Sequence, residues 1–296
     1  MIMFVEVSNL SHSYGEKKVL NNISLNVEKG KVMGLLGPSG AGKTTLVNIL
    51  TGQITPTAGT IKIFHDGKDS SGGSTANADG VTEIGADQKM AAGIMMDSFG
   101  LYDRLSVWDN LKIFADLYQV PKEKIDELLQ RTELNHAKKT LVSNLSKGMR
   151  NRVNLCRALL KEANILYLDE PTSGLDPATT EKIHELIMEE KNRGTTVFLT
   201  THNMHEATKL CDNIILLHEG KIVEQGVPGE ICLKYNLENK IEIILRNGEI
   251  HTLANTSESA PAIEEWMKNE QIKSIHSSEP DLEKVFLHLT GKELNK

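Results

Sequence analysis

The chain has 296 residues, 40 acidic against 33 basic, and a formal net charge of −7. The length suits one large domain and a small one. The acidic balance argues against nucleic-acid binding by bulk electrostatics. Cys156, Cys211 and Cys232 are scattered without a C-x-x-C pair, which reads as three reduced thiols of a cytosolic protein rather than a zinc or disulfide framework. No apolar run reaches the ~18–20 residues that span a bilayer. "MIMFVEVSNLSHSYG" has no secretory leader pattern.

In chain order, "MFVEVSNLSHSY" and "LNNISLNVEKG" alternate as strands. "KVMGLL" is a compact apolar strand, and "LVNILTG" is a helix stopped by Gly52. "GTIKIF" predicts another strand. The stretch from His65 to Met90, rich in Gly, Ser, Asp and Asn, suits a mobile surface insertion. From Val107 to about Ala163 apolar residues recur at three and four, the helical spacing. Strands and helices alternate again in "NILYLD", "PATTEKIHELIMEEKNRG", "TTVFLT" and "MHEATKLC". "NIILLHEGKIVEQG" predicts a hairpin turning at Glu219-Gly220. After Pro228 a second hairpin turns at Asn247-Gly248, and a helix, a strand and a closing helix follow. The closing helix carries the stripe Leu282, Val285, Phe286 and Leu289. Either it closes the small unit or it meets a partner.

Between strand and helix stands Gly37-Pro38-Ser39-Gly40-Ala41-Gly42-Lys43-Thr44, followed by Thr45. This is G-x-x-x-x-G-K-T, the phosphate-binding loop. Its glycines let the backbone curl so that N–H groups face phosphate oxygens, and the helix adds its positive end. Lys43 neutralises the β/γ oxygens and the Thr44 hydroxyl ligates Mg²⁺. Later, "NILYLDEPTSGLD" ends a buried strand in Asp169 and Glu170. Side chains alternate at a strand end, so the two carboxylates point apart. Asp169 suits a cation, usually through water; Glu170 suits the water that attacks the γ-phosphate. Without the loop, both would read as solvated carboxylates.

Further residues resemble the ABC-type ATPases. "LSKGM", Leu145 to Met149, resembles their signature, usually L-S-G-G-Q; "SGLD", Ser173 to Asp176, looks like their D-loop. His202 in "LTTH" matches their switch histidine, and Tyr14 their adenine-stacking aromatic. The motifs come in the family's order, and the resemblance covers about Met1 to Val227. It implies an α/β P-loop NTPase with a RecA-like core, an antiparallel β subdomain and an α-helical subdomain at about 98–163. A small C-terminal α/β domain is expected at 228–296. It also implies a head-to-tail dimer, ATP lying between one copy's loop and the other's Ser146 and Gly148, with Asp176 both capping a helix and reaching across. Lys147 replaces a signature glycine; it adds charge near phosphate or is a surface lysine. The bland alternative for Tyr14 is local packing, and a metal at His202 and His205 is not expected.

One departure stands out. The family normally places Gln where Asp97 stands. Asp97 either faces the metal, with its own pKa or the Mg²⁺ affinity altered, or is displaced so that water fills the gap. The tail "EPDLEKVFLHLTGKEL" resembles ATP-binding subunits of multidrug, antibiotic and bacteriocin exporters. The resemblance therefore implies an ATPase on the cytoplasmic face of the membrane, driving integral membrane permease subunits, most simply as a homodimer. The alternative is a soluble ABC ATPase acting on DNA or ribosomes; against it stand the single cassette and the lack of a coiled-coil insertion or basic tail. A GTP-binding switch fails for want of an N-K-x-D motif.

Overall fold

Two alternating stretches become the long antiparallel strands β1 (Met3–Tyr14) and β2 (Lys17–Glu28). The computed structural model describes residues 3–65, 68–69, 92–96, 100–236 and 239–292. Asp97 and nearly all of the Gly/Ser-rich stretch lie outside the described residues. Strand β4 (Ala58–His65) pairs with β1, and β5 (Lys68–Asp69) with β4, giving an antiparallel sheet of order β2-β1-β4-β5.

The second sheet holds β3 (Val32–Leu36), β6 (Ala92–Met95), β7 (Ile165–Asp169), β8 (Thr196–Thr201), β9 (Asn213–His218) and β10 (Lys221–Gly226). Its order is β10-β9-β3-β8-β7-β6. All neighbours are parallel except the edge hairpin β9-β10. Every residue of β3, β7 and β8 is buried, as strands covered on both faces require. Side-chain alternation divides the interior in two. Val32, Leu36, Leu166, Leu168, Val197 and Leu199 face one core with the helices. Met33, Leu35, Ile165, Tyr167 and Phe198 face the other, against the antiparallel sheet and helix α1 (Lys43–Leu50).

The helical side begins with α2 (Val107–Tyr118), whose first turn is capped by Ser106, and α3 (Glu123–Arg131). Val107, Leu111 and Ala115 in α2, and Ile125, Leu128 and Leu129 in α3, supply the apolar stripes. They pack on α4 (Lys147–Leu159), which lies along β6. A Cβ on Gly93 would sit 2.5 Å from the Ala158 carbonyl oxygen, so glycine is what lets strand and helix meet. Helices α5 (Pro177–Asn192) and α6 (Met204–Leu210) follow β7 and β8.

Beyond β10 come α7 (Pro228–Lys234), the antiparallel strands β11 (Lys240–Leu245), β12 (Ile250–Ala254) and β13 (Ile272–Ser277), and helix α8 (Ala260–Lys268) between the last two strands. This third sheet has order β12-β11-β13. The closing helix α9 (Leu282–Thr290) departs from the expectation that it only closes the small unit. Leu282, Val285 and Phe286 are buried in the same core as Met204, Leu216 and Ile231. Phe286 sits edge-on to His218, ring centres 5.8 Å apart. The stripe was visible in the sequence; the surface it lands on belongs to α6, α7 and the parallel sheet.

Candidate active site

The phosphate loop connects β3 to α1, and its neighbours leave it no slack. Gly42 has φ +110°, and a Cβ there would lie 2.8 Å from Leu20 Cδ2; a Cβ on Gly37 would clash with the Leu217 carbonyl. The Gly220 N–H donates to the Ala41 carbonyl at 3.0 Å, tying the β9-β10 turn to the loop. Lys43 Nζ donates to the carbonyls of Gly37 (2.6 Å) and Pro38 (3.2 Å). Burial lowers the Lys43 pKa, and the charges of Glu170 and Asp169 oppose that shift.

Strand β8 stands between β3 and β7, so the two strand ends that carry the loop and the acids open onto one cleft. Asp169 Oδ2 lies 3.5 Å from Thr44 Oγ1, and its Oδ1 accepts from the Thr200 hydroxyl, its register partner on β8. Glu170 turns the other way. Its backbone is left-handed, φ +50°, and its Oε2 lies 2.5 Å from His202 Nδ1. Burial raises the Glu170 pKa; the His202 and Lys43 charges pull it down, and Asp169 pushes it up. Two carboxylates one residue apart thus face different groups.

The cleft, about 1150 Å³, is lined by Tyr14, Ser39, Gly40, Gly42, Lys43, Thr44, Thr45, Asp169, Glu170 and His202 among others. Tyr14 is half exposed and stacks edge-on against buried His12. Gly37, Pro38 and Ala41 support the loop from outside this lining. Ser146 caps α4, accepting from Met149 N–H at 3.2 Å; it is exposed and, with Gly148, lies off the chain's own cleft, whereas Lys147 and Asn151 reach it. Asn151 Nδ2 donates to the Ser173 carbonyl at 3.1 Å, and a Cβ on Gly148 would sit 3.1 Å from the Gly174 carbonyl oxygen. Signature and D-loop therefore form one surface. Asp176 caps α5, accepting from Thr179 N–H at 3.0 Å and from its hydroxyl at 2.6 Å, bonds that lower its pKa.

Sequence reasoning missed Lys17, Lys18, Glu219 and Gly220, which line the cleft beside Tyr14, and Thr200, which orients Asp169. The lysines carry no motif. Thr200 is recognisable only once the β7-β8 register is known.

A parallel sheet with a glycine loop at its central strand, and an acidic strand end one strand away, defines a P-loop nucleotide hydrolase. A family model described as "ABC transporter" matches residues 20–173. A fluoroquinolones export ATP-binding protein of Mycobacterium tuberculosis is 32% identical over 296 residues, 98% of this chain and 94% of that protein. The lantibiotic transport ATP-binding protein SrtF of Streptococcus pyogenes is 34% identical over 238 residues, 80% of this chain and 97% of its own. An ATP-binding cassette solved as a dimer in a post-hydrolysis state with ADP and Pi superposes with a TM-score of 0.64 at 26% identity, covering 75% of this chain and 98% of that one. The chain belongs to the ABC transporter family and is one of its ATP-binding, ATP-hydrolysing subunits.

Proposed function

We propose that this subunit powers export of a drug, peptide or lipid-like substrate through separate membrane subunits, acting as one of two identical cassettes that close on ATP. Relatives named for export, of fluoroquinolones and of Nod factor, align along nearly the whole chain, C-terminal part included. Among the described residues no helix is long and apolar enough to cross a membrane.

The observation that carries the paired arrangement is the exposure of Ser146 at the tip of α4, outside its own chain's phosphate cleft. A helix tip with N–H groups and a Ser146 hydroxyl whose proton is still available to donate suits an anion, and the triphosphate of a second copy is the anion that a head-to-tail pair brings to it. Ser173, Gly174 and Leu175 of the D-loop lie against the same helix tip.

The site fits Mg²⁺. Thr44 Oγ1 and Asp169 Oδ2 are hard oxygen donors 3.5 Å apart, and no group of three or more His, Cys, Asp or Glu forms a cage among the described residues. That sparse set suits an ion that keeps water and phosphate oxygens as its other ligands. When bound, the ion neutralises phosphate charge. Asp97, the remaining candidate ligand, lies outside the described residues.

Within the cleft, Lys43 exchanges the Gly37 and Pro38 carbonyls for phosphate oxygens, and Tyr14 stacks on adenine. Glu170 takes the proton of the attacking water as its oxygen bonds the γ-phosphorus and the β–γ bridging bond breaks, leaving ADP and phosphate. His202 holds Glu170 and the water in place.

The test uses the full chain. Glu170→Gln with MgATP runs as a dimer on size exclusion, and adding Ser146→Arg returns it to monomer. A dimer that survives Ser146→Arg refutes the paired site. Purification from detergent-solubilised membranes recovers an integral membrane protein with the chain; recovery of none refutes the export reading.

A further inference from the structure

One buried carboxylate joins the three segments that carry the reacting groups. Glu206, on α6, is 1% exposed. Its Oε1 accepts from the Thr172 hydroxyl at 2.7 Å and meets His184 Nε2 at 3.0 Å. Thr172 lies in the loop that runs from Glu170 to Asp176. His184 sits on the buried face of α5, the helix that Asp176 caps, between Ile183 and Leu186. Glu206 itself lies four residues after His202, and its own N–H is held by Asn203 Oδ1 at 3.1 Å. Burial pushes the Glu206 pKa up, but the hydrogen bonds from His184 and Thr172 oppose it and the net shift is downward.

An ionised carboxylate in an apolar core is costly unless fully paired, and a hydrophobic pair of similar volume packs there as stably. Packing alone thus gives no reason for the pair. Its geometry does. The Thr172–Glu206 bond joins the segment that follows β7 to the segment that follows β8, as the Glu170–His202 contact does. His184 extends that link to the D-loop helix.

We propose that Glu206, held by His184, is a positioning residue for hydrolysis: through Thr172 it fixes the Glu170–Asp176 loop against the His202 loop, so that water activation and D-loop placement are set together. This rests on the roles given above to Glu170 and His202.

The experiment measures MgATP turnover and thermal unfolding of the full chain for Thr172→Val and for the double variant His184→Leu/Glu206→Leu. Thr172→Val keeps shape and loses only the hydroxyl. Losing one hydrogen bond to a buried charged group lowers kcat about tenfold with KM close to the parent, and lowers Tm by a few degrees. The double variant recovers most of the Tm lost by Glu206→Leu alone, yet its kcat stays low. If kcat returns with Tm, or if Thr172→Val turns over like the parent, the network is only structural and the proposal falls. Glu170→Gln in the same assay reports separately on the base: full turnover there overturns the Glu170 assignment whatever Thr172→Val does.

Discussion

His202 Nδ1 lies 2.5 Å from Glu170 Oε2, which links the end of β8 to the end of β7 at the mouth of the cleft. The contact needs Glu170 in the left-handed region, φ +50°, a conformation that costs a non-glycine residue on the order of 1–3 kcal/mol. The neighbouring Asp169 keeps the ordinary strand direction and faces Thr44 instead. A single backbone twist therefore assigns one acid to the phosphate loop and the other to the histidine.

Glu170→Gln keeps the shape and loses the base. Turnover falls about 10²- to 10⁴-fold, the range for removal of a general base, while ATP binding persists. Single-turnover phosphate release with a parallel nucleotide-binding titration separates the two. Loss of binding in step with hydrolysis would show that Glu170 holds nucleotide rather than activating water.

The pH profile follows from the same pair. Burial raises the Glu170 pKa above the ordinary 4.5. The deprotonated form is the base, so kcat/KM, which reports the free enzyme, declines as pH falls through that raised value. His202 pulls the pKa down. His202→Gln removes the pull, so the acid limb moves to higher pH as well as lower amplitude. An acid limb at or below 4.5 in the parent contradicts the burial argument.

Asp169→Asn is nearly isosteric and leaves an oxygen for the Thr200 hydroxyl, but the carboxylate facing Thr44 is gone. The Mg²⁺ concentration for half-maximal turnover rises, about tenfold for loss of a charged hydrogen-bonding contact near 1.4 kcal/mol. Excess Mg²⁺ then restores part of the activity. A Mg²⁺ titration at fixed ATP checks this; an unchanged midpoint removes Asp169 from the metal site.

The loop and the paired acids were legible as local patterns with their own chemistry, whereas the expected roles of His202 and of the signature rested on the family resemblance. The cleft residues Lys17 and Lys18 were not legible, since two lysines after a turn look like any solvated pair. Thr200 and Glu206 were illegible for another reason. Their roles depend on strand register and on which helix lies over which loop, and β7 and β8 meet across more than thirty positions of sequence. His184 breaks an apolar helical stripe between Ile183 and Leu186, a local anomaly that the sequence displays without saying what it pairs with.

The closing helix tests how far the C-terminal part supports the nucleotide site. Phe286 is fully buried against His218. The residue before that histidine, Leu217, packs its carbonyl against Gly37 at the start of the phosphate loop. Phe286→Ala opens a cavity costing about 3–5 kcal/mol, a fall in Tm on the order of 10 °C. Lys284, exposed on the same helix, is the control: Lys284→Ala leaves Tm nearly unchanged, since an exposed side chain contributes little burial. The two variants also differ in response to nucleotide. A loosened β9-β10 turn lets the loop relax, so MgATP raises the Tm of Phe286→Ala by less than it raises that of the parent, as weaker binding requires. An equal ATP-induced shift in both would mean that the helix stabilises the body of the protein without reaching the phosphate loop.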